Sequence, residues 1–275
     1  MICPNCGDKA ISSVRRVVVS AQKVKTDLCH CASCDYLFLP DPSWLPSAYQ
    51  QEFYADTGYV ARNLDMAKKS LALFRCWKLI SGEKSFPLAC DIGAGLGMYA
   101  RMMRDHGYPF HGSDEYARMP LIQPFVSNNS WSTIKTAFEV VEHLPCLPLF
   151  LSDQVKEVDL FLFSTEIRRT GDIPDEEWWY YAFAIGQHIA FHSRKSLSHA
   201  FARAGYSSSH LFSHGSSLHA LAVTKQWQKA FRFSRKIWML QRHLDSVSRY
   251  FAKYCFAESS LIASDHLRAL DLGSN

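Results

Sequence analysis

The sequence predicts an α/β protein: a doubly wound sheet preceded by a small cysteine-bearing ribbon and followed by a helical tail. Three observations predict it. Two C-x-x-C pairs stand at the front of the chain, an apolar strand near residue 90 runs into a glycine-rich turn and a helix, and a helical apolar stripe occupies the end. The chain has 275 residues, of which 48% are hydrophobic and 20% charged. That is enough apolar surface for a full core and enough length for about two domains, and it excludes a largely disordered protein. The expected divisions are a ribbon over 1–46, the α/β domain over 47–225 and the tail over 226–275.

The ribbon comes first. Five of the nine cysteines fall within the first 34 residues, and an odd count without a secretory signal argues against a disulfide framework. Cys3-Pro-Asn-Cys6 and Cys31-Ala-Ser-Cys34 are separated by 24 residues, and each pair can turn two thiolates toward one tetrahedral ion, for which zinc is the expectation. Residues 14–19 and 24–28 read as two short strands between the pairs, and 36–40 continues in extended form. Gly7 and Asp35 suit the turns that close the two knuckles. Cys29 or His30 could replace one ligand, and four ordinary reduced thiols is the alternative to a metal. A site filled by four protein ligands has no open position, so its metal would be structural.

Pro40, Pro42 and Pro46 mark a linker. Residues 67–80 read as an amphipathic helix carrying Leu71, Leu73, Phe74, Trp77 and Leu79. Residues 86–90 form an apolar strand that runs into Asp91-Ile-Gly-Ala-Gly-Leu-Gly97. Residues 98–106 have helical composition, and Gly107 stops them. A second strand over 109–113 ends at Asp114, 21 residues past Gly93. Glycines at 93, 95 and 97 let backbone approach a ligand closely, with the free N–H groups of the following helix pointing at it. Asp114 is placed to accept the hydroxyls of a ribose. A G-x-G-x-x-G dinucleotide loop would need glycine at position 98, where this chain has Met98.

Asp91 followed by alternate glycines instead resembles motif I of the class I S-adenosylmethionine-dependent methyltransferases. The string Thr136-Ala-Phe138-Glu-Val-Val-Glu142-His143-Leu144 is similar to the fourth-strand motif of one branch of that family. Residues 159–164 read as its fifth strand. Gly186-Gln-His188 and the helix after Ser193 are similar to its late G-x-H segment, and 218–224 to its closing strand. These matches run in family order over residues 88–224. With a four-cysteine module in front, the chain resembles bacterial sugar C-methyltransferases and the methyltransferases of glycan gene clusters. The resemblance implies a Rossmann-like sheet, S-adenosylmethionine as cofactor and a sugar or similar small metabolite as substrate. O-methylation of a lipid-linked or polymeric glycan is the rival, and a non-catalytic zinc-bearing scaffold a further one. Cofactor contacts are expected from Asp91, Gly93, Gly95, Gly97, Asp114, Phe138 and Arg62. Ser132 and Thr133 stand where the family commonly has Phe-Asp, and no adenine-binding residue is evident in the short segment 119–131.

His188 is the first candidate base, since a neutral imidazole can take a proton from a hydroxyl or an activated carbon near neutral pH. His143 is the second, with a strand-end cap as its other reading, and Glu142 could orient an imidazole or bond a sugar hydroxyl. His192 and His199 read as structural or exposed. Trp178-Trp-Tyr-Tyr181, after an acidic string, suits stacking on a sugar face or burial in the core. Tyr59 to Asn63, just before the first helix, places Arg62 to meet the methionine carboxylate or a substrate phosphate.

In the tail, Phe233, Ile237, Leu240, Leu244, Val247, Phe251 and Tyr254 share one helical stripe. Residues 225–253 hold eight Lys or Arg against one acidic residue, Asp245. Core docking, a homodimer seam, peripheral contact with a membrane surface and contact with a diphosphate-linked substrate all remain open for it. A net charge of +4 over the whole chain and the lack of a reading motif exclude nucleic acid as the expected partner. The longest apolar runs, 158–163 and 178–185, fall far short of the ~20 residues that cross a bilayer, so no transmembrane segment is expected. The opening MICPNCGD has no basic or apolar signal region, so the expected location is cytoplasmic.

Overall fold

The computed structural model describes residues 1–19, 23–49, 57–126 and 132–252, with backbone alone over 241–252. The ribbon is a hairpin of β1 (Ile11–Val19) and β2 (Val24–Cys31), followed by β3 (Tyr36–Phe38) against β2. After a short helix α1 (Leu45–Ala48), helix α2 runs Thr57–Ser81. Then come β4 (Ala89–Ile92), α3 (Met98–Asp105), β5 (Phe110–Ser113), β6 (Ile134–Phe138), α4 (Leu147–Gln154) and β7 (Leu160–Ser164). The chain closes with β8 (Ala190–Phe191), α5 (Arg194–Arg203), β9 (Leu211–His214), β10 (Leu218–Ala222) and α6 (Lys225–Ala252).

The large sheet has the order β5-β4-β6-β7-β10-β9. Its first four strands are parallel, and β10 runs antiparallel between β7 and β9. An isolated parallel bridge, Gly112 to Val126, lies beyond β5. Every residue of Leu-Phe-Leu-Phe-Ser in β7 is buried, because helices cover both faces and the strand needs no polar side. One face carries α2, α3 and α6, where Trp77 stacks on Trp227 at 4.8 Å. The other carries α4 and α5 over Leu147, Leu151, Phe163 and Phe201. This is the doubly wound arrangement that the strand pattern predicts.

Three expectations change. Helix α2 begins ten residues before 67, so Tyr59 to Asn63 lie inside it. Tyr59, Asn63, Met66, Ala67 and Ser70 recur at helical spacing and are buried, while the intervening Arg62 and Asp65 mask the pattern by facing outward. In α6 the docked face is Trp227, Ala230, Phe231, Ser234 and Trp238; of the expected stripe Ile237 packs against that core, while Phe233 and Leu240 are more than half exposed. Two stripes of helical period coexist there, and the bulkier indoles win the core, with Trp238 Nε1 also donating to the Lys69 carbonyl at 3.1 Å. The side chains of Leu244, Val247, Phe251 and Tyr254 lie outside the described residues.

The third concerns the ribbon, whose sheet gains β8 from deep in the α/β region. Phe38 pairs with Ala190 and Leu37 with Phe191. Tyr36, Leu37, Phe38, Trp44, Tyr180, Tyr181, Ile189 and Phe191 form one core across the two parts. The Arg168 guanidinium, 1% exposed, meets the Asp35 carboxylate at 3.1 Å in that junction. No helix among the described residues is long and apolar enough to cross a membrane.

Gly97 sits at φ +83°, and a Cβ there would lie 2.4 Å from Cγ1 of Ile122. Gly107 sits at φ +81° with open space around it. Gly107→Ala should therefore cost only the left-handed backbone strain of about 1–2 kcal/mol. Gly97→Ala should cost at least about 1 kcal/mol more from overpacking, read as a lower urea midpoint at unchanged m-value.

Candidate active site and cysteine cluster

The glycine loop joins β4 to α3 at the carboxyl edge of the parallel strands, where doubly wound sheets place their ligands. Gly93, Gly95 and Gly97 all have positive φ, between +57° and +83°. Gly93 and Gly97 let the loop close on its own protein: a Cβ at Gly93 would lie 2.6 Å from Val140 Cγ2. The N–H groups of Gly93 and Ala94 donate to the Ser113 carbonyl, that of Gly95 to Asp114 and that of Gly97 to the Ala94 carbonyl. These four loop donors are thus spent within the protein, which braces the loop against β5.

Asp91 is buried at the end of β4 and accepts from Thr136 Oγ1 at 2.6 Å. Burial pushes its carboxyl up to about 7, with the Asp114 charge acting in the same direction and the Thr136 bond opposing. Asp114 follows β5. Its carboxylate accepts from the N–H of Gly95, Tyr116 and Ala117, each at 2.8 Å. Phe138 ends β6 half-buried, edge-on to Tyr99 at 4.7 Å. Arg62, largely exposed on α2, lies 4.0 Å from the Glu139 carboxylate.

Residues 139–143 form the second wall. Glu139 adopts φ +56°, a costly conformation for a side-chain-bearing residue. It is held there by Ser164, whose Oγ accepts the Glu139 N–H at 2.8 Å and donates to its Oε1 at 2.7 Å. The turn Val141–His143 follows. Glu142 is fully buried, and neither of its carboxylate oxygens has a hydrogen-bond partner. The neighbouring Thr165 and Tyr180 hydroxyls bond each other at 3.0 Å. Burial holds the Glu142 carboxyl well above the usual range, and the Glu139 charge adds to this.

His143 Nδ1–H donates to the Gln187 carbonyl at 3.0 Å, and His188 Nδ1–H to the Tyr180 carbonyl at 2.7 Å. Each neutral ring therefore keeps its lone pair on Nε2. The two rings meet edge-on at 4.9 Å, and His143 Nε2 lies 3.8 Å from Glu142 Oε1. Burial pushes His143 down to about 3 and also lowers His188. The structure so brings the three sequence-predicted catalytic residues together, with Val140 joining them to the glycine loop.

Sequence reasoning missed several neighbours. Tyr49 stacks on Tyr116 at 4.4 Å and meets His143 at 6.1 Å, forming an aromatic rim between Asp114 and the histidines. No local pattern marks either tyrosine. Glu139 was visible in the E-x-x-E-H string, where its spacing from Glu142 is the signal. Of the aromatic string, Tyr180 and Tyr181 belong to the ribbon junction and Trp179 is exposed, so burial prevails over a sugar platform. His192 is fully buried against Tyr36, while His199 on α5 is exposed.

Cys3, Cys6, Cys31 and Cys34 converge so that their sulfurs lie within 4.8 Å of one another. Cys3 to Cys34 measures 3.7 Å and Cys6 to Cys31 3.6 Å. A tetrahedral ion with Zn–S bonds of about 2.3 Å has sulfur–sulfur edges of about 3.8 Å, so the four thiols fit. Cys29 is buried in the ribbon core, and His30 instead meets Asp35 at 2.9 Å. Neither belongs to the four.

Residues 74–211, half of the chain, match a family described as methyltransferase domain, and the chain belongs to that family. Among solved structures it is similar to the mitomycin 7-O-methyltransferase at 11% identity, TM-score 0.37, over 56% of this chain and 54% of that one. It is also similar to magnesium protoporphyrin IX methyltransferase of Synechocystis PCC 6803 with bound SAM, at 13% identity, TM-score 0.38, over 64% and 88%. A methyltransferase of calicheamicin biosynthesis in its SAH-bound form gives 12% identity, TM-score 0.37, over 65% and 66%. The chain spans about half the length of the mitomycin enzyme. No curated protein matches.

Burial also pushes His192 down to about 3, with Arg168 adding to the effect. The unfolded chain takes up the proton near 6.5, so between these values it binds more protons than the folded one, and stability rises with pH. His192→Phe, which keeps the ring against Tyr36, should flatten the acid limb of the stability curve by up to about 1.4 kcal/mol per pH unit. Urea unfolding at a series of pH values from 4 to 7 measures it.

Proposed function

We propose that the chain transfers a methyl group from S-adenosylmethionine to a sugar or related small metabolite, and that zinc closes the cysteine cluster as a structural ion. The family match over half of the chain carries the first reading. The glycine loop and Asp114 border one side of the site, where the donor would lie, and Glu142, His143 and His188 border the acceptor side. The cofactor supplies a sulfonium methyl. The protein's part is to align an acceptor with it and to remove or neutralise the acceptor's proton, which is the work of a positioned polar cluster. The Tyr49–Tyr116 rim offers an aromatic face to a sugar ring.

For the cysteines, the sulfur geometry supports zinc, and the set leaves no position open for chemistry. In this reading the ion carries no step of the reaction; it holds the ribbon that β8 joins.

Calorimetric titration with S-adenosylhomocysteine tests the donor reading. The wild-type protein should bind it, and Gly95→Val should lose binding by at least about 100-fold, since a branched side chain at a buried loop position of φ +57° occupies the cofactor's approach. Unchanged affinity in a folded Gly95→Val protein contradicts the placement. Metal analysis should find about one zinc per chain, lost in Cys6→Ser and retained in Cys29→Ser. Loss of zinc in Cys29→Ser alone would point to a different ligand set.

A further inference from the structure

We propose that Glu142, His143 and His188 form a divalent-cation site whose open positions take the acceptor oxygen to be methylated and a second oxygen beside it, so that the reaction is O-methylation. The transferred group rests on the methyltransferase reading above; the cation site rests on geometry alone.

One ligand atom from each of the three residues lies within 4.8 Å of the others. Bonds of about 2.0–2.2 Å to an ion would place neighbouring ligands about 3.0–3.4 Å apart, so the widest pair closes by up to about 1.4–1.8 Å on loading, within reach of side-chain torsions. Both imidazoles already carry the outer contact that a metal-binding histidine needs, an Nδ1–H donated to a backbone carbonyl, which sets the ring and turns the Nε2 lone pair inward.

The independent observation is the carboxylate. Glu142 is fully buried at the end of β6, and neither oxygen finds a donor. A buried carboxyl stays neutral unless an opposite charge sits beside it, and a cation bound there would supply that charge. The Thr165 and Tyr180 hydroxyls beside it share one hydrogen bond and bring no charge, and Glu139 brings a second carboxylate to the same turn. Arg62, 40% exposed, lies 4.0 Å from Glu139 and pairs with that carboxylate, and its charge also reaches both histidines. Two imidazoles and one carboxylate make a donor set that suits manganese, iron, cobalt or zinc and leaves exchangeable positions. The four-thiol cluster is closed by comparison.

The chemistry balances. A hydroxyl bound to the cation loses its proton to solvent at neutral pH, as metal-bound water does when its pKa falls from 15.7 to about 7. The resulting alkoxide lone pair forms the O–CH3 bond as the S–CH3 bond breaks. The electrons of that bond remain on sulfur, and the sulfonium becomes a neutral thioether. Sugar diols present a second oxygen on the adjacent carbon and can fill a neighbouring position.

The test is a titration of the full chain, as purified and dialysed against metal-free buffer, with manganese chloride while the six-line electron paramagnetic resonance signal of free Mn2+ is followed. Mn2+ prefers oxygen and nitrogen donors and leaves a zinc-filled thiolate site alone. One Mn2+ per chain is expected at sub-millimolar concentration, with at least tenfold weaker uptake in Glu142→Gln and in His188→Asn. No uptake up to several millimolar, or the same uptake in both variants, overturns the proposal. Should Glu142→Gln fail to fold, His188→Asn decides, because its ring sits on a loop and is only part-buried. S-adenosylhomocysteine titration of the same samples separates the two readings: binding without Mn2+ uptake removes the cation site alone, and Mn2+ uptake without binding removes the donor alone.

Discussion

The segment 186–193 is the constraint on which the site depends, because its backbone is shared among three parts of the molecule. Trp44 Nε1 donates to the Gly186 carbonyl, and Gln187 Nε2 to the Ala48 carbonyl. The Gln187 carbonyl accepts from His143. Ile189 N–H donates to the Glu142 carbonyl while its own carbonyl accepts from Leu39. Ala190 and Phe191 then pair with β3, and the His192 carbonyl accepts from Arg168. A buried strand cannot leave these groups unpaired without a cost comparable to a lost hydrogen bond for each. His188 is therefore placed by the ribbon on one side and by the turn after β6 on the other.

Strain and charge concentrate at that same edge. Glu139 holds a left-handed backbone only because Ser164, at the end of the neighbouring β7, bonds both its N–H and its carboxylate. This turn redirects the chain so that Val140 packs against Gly93 and Glu142 points inward. The glycine loop and the polar cluster are thus two faces of one packed contact. A larger residue at 93 would push the cluster as much as it would crowd a ligand.

Much of this was readable in the sequence. The run Asp91 to Gly97 announces itself because only glycine suits a loop that reverses within a few residues, and β7 because a strand covered on both faces is apolar throughout. The E-x-x-E-H-L string placed Glu142 and His143 correctly at the end of β6. The pairing of β8 with β3 was hidden, since two residues of strand carry no periodicity and their partner lies about 150 positions away. The docking face of α6 was also hidden: two stripes fit a helix equally well, and the choice between them belongs to α2, whose Trp77 receives Trp227. Tyr49 and Tyr116 meet only because α1 and the turn after β5 converge, which no local rule foresees.

The cysteine cluster and the Glu142–His143–His188 cluster differ in how many ligand atoms they bring together, four against three. An ion held by all four thiols would have no open position, so in the proposed reading the cysteine cluster acts by holding geometry. The second knuckle leads directly into β3, and β3 is the strand that aligns Ala190 and Phe191. The Asp35–Arg168 pair adds specificity of docking rather than strength, because a buried ion pair gains little over apolar packing yet penalises any register that separates its partners. Tyr180, Tyr181 and Phe191 would lose their cover if the ribbon came away. The ribbon and the α/β sheet thus complete each other's cores, and the position of His188 beside Glu142 and His143 follows from that shared packing.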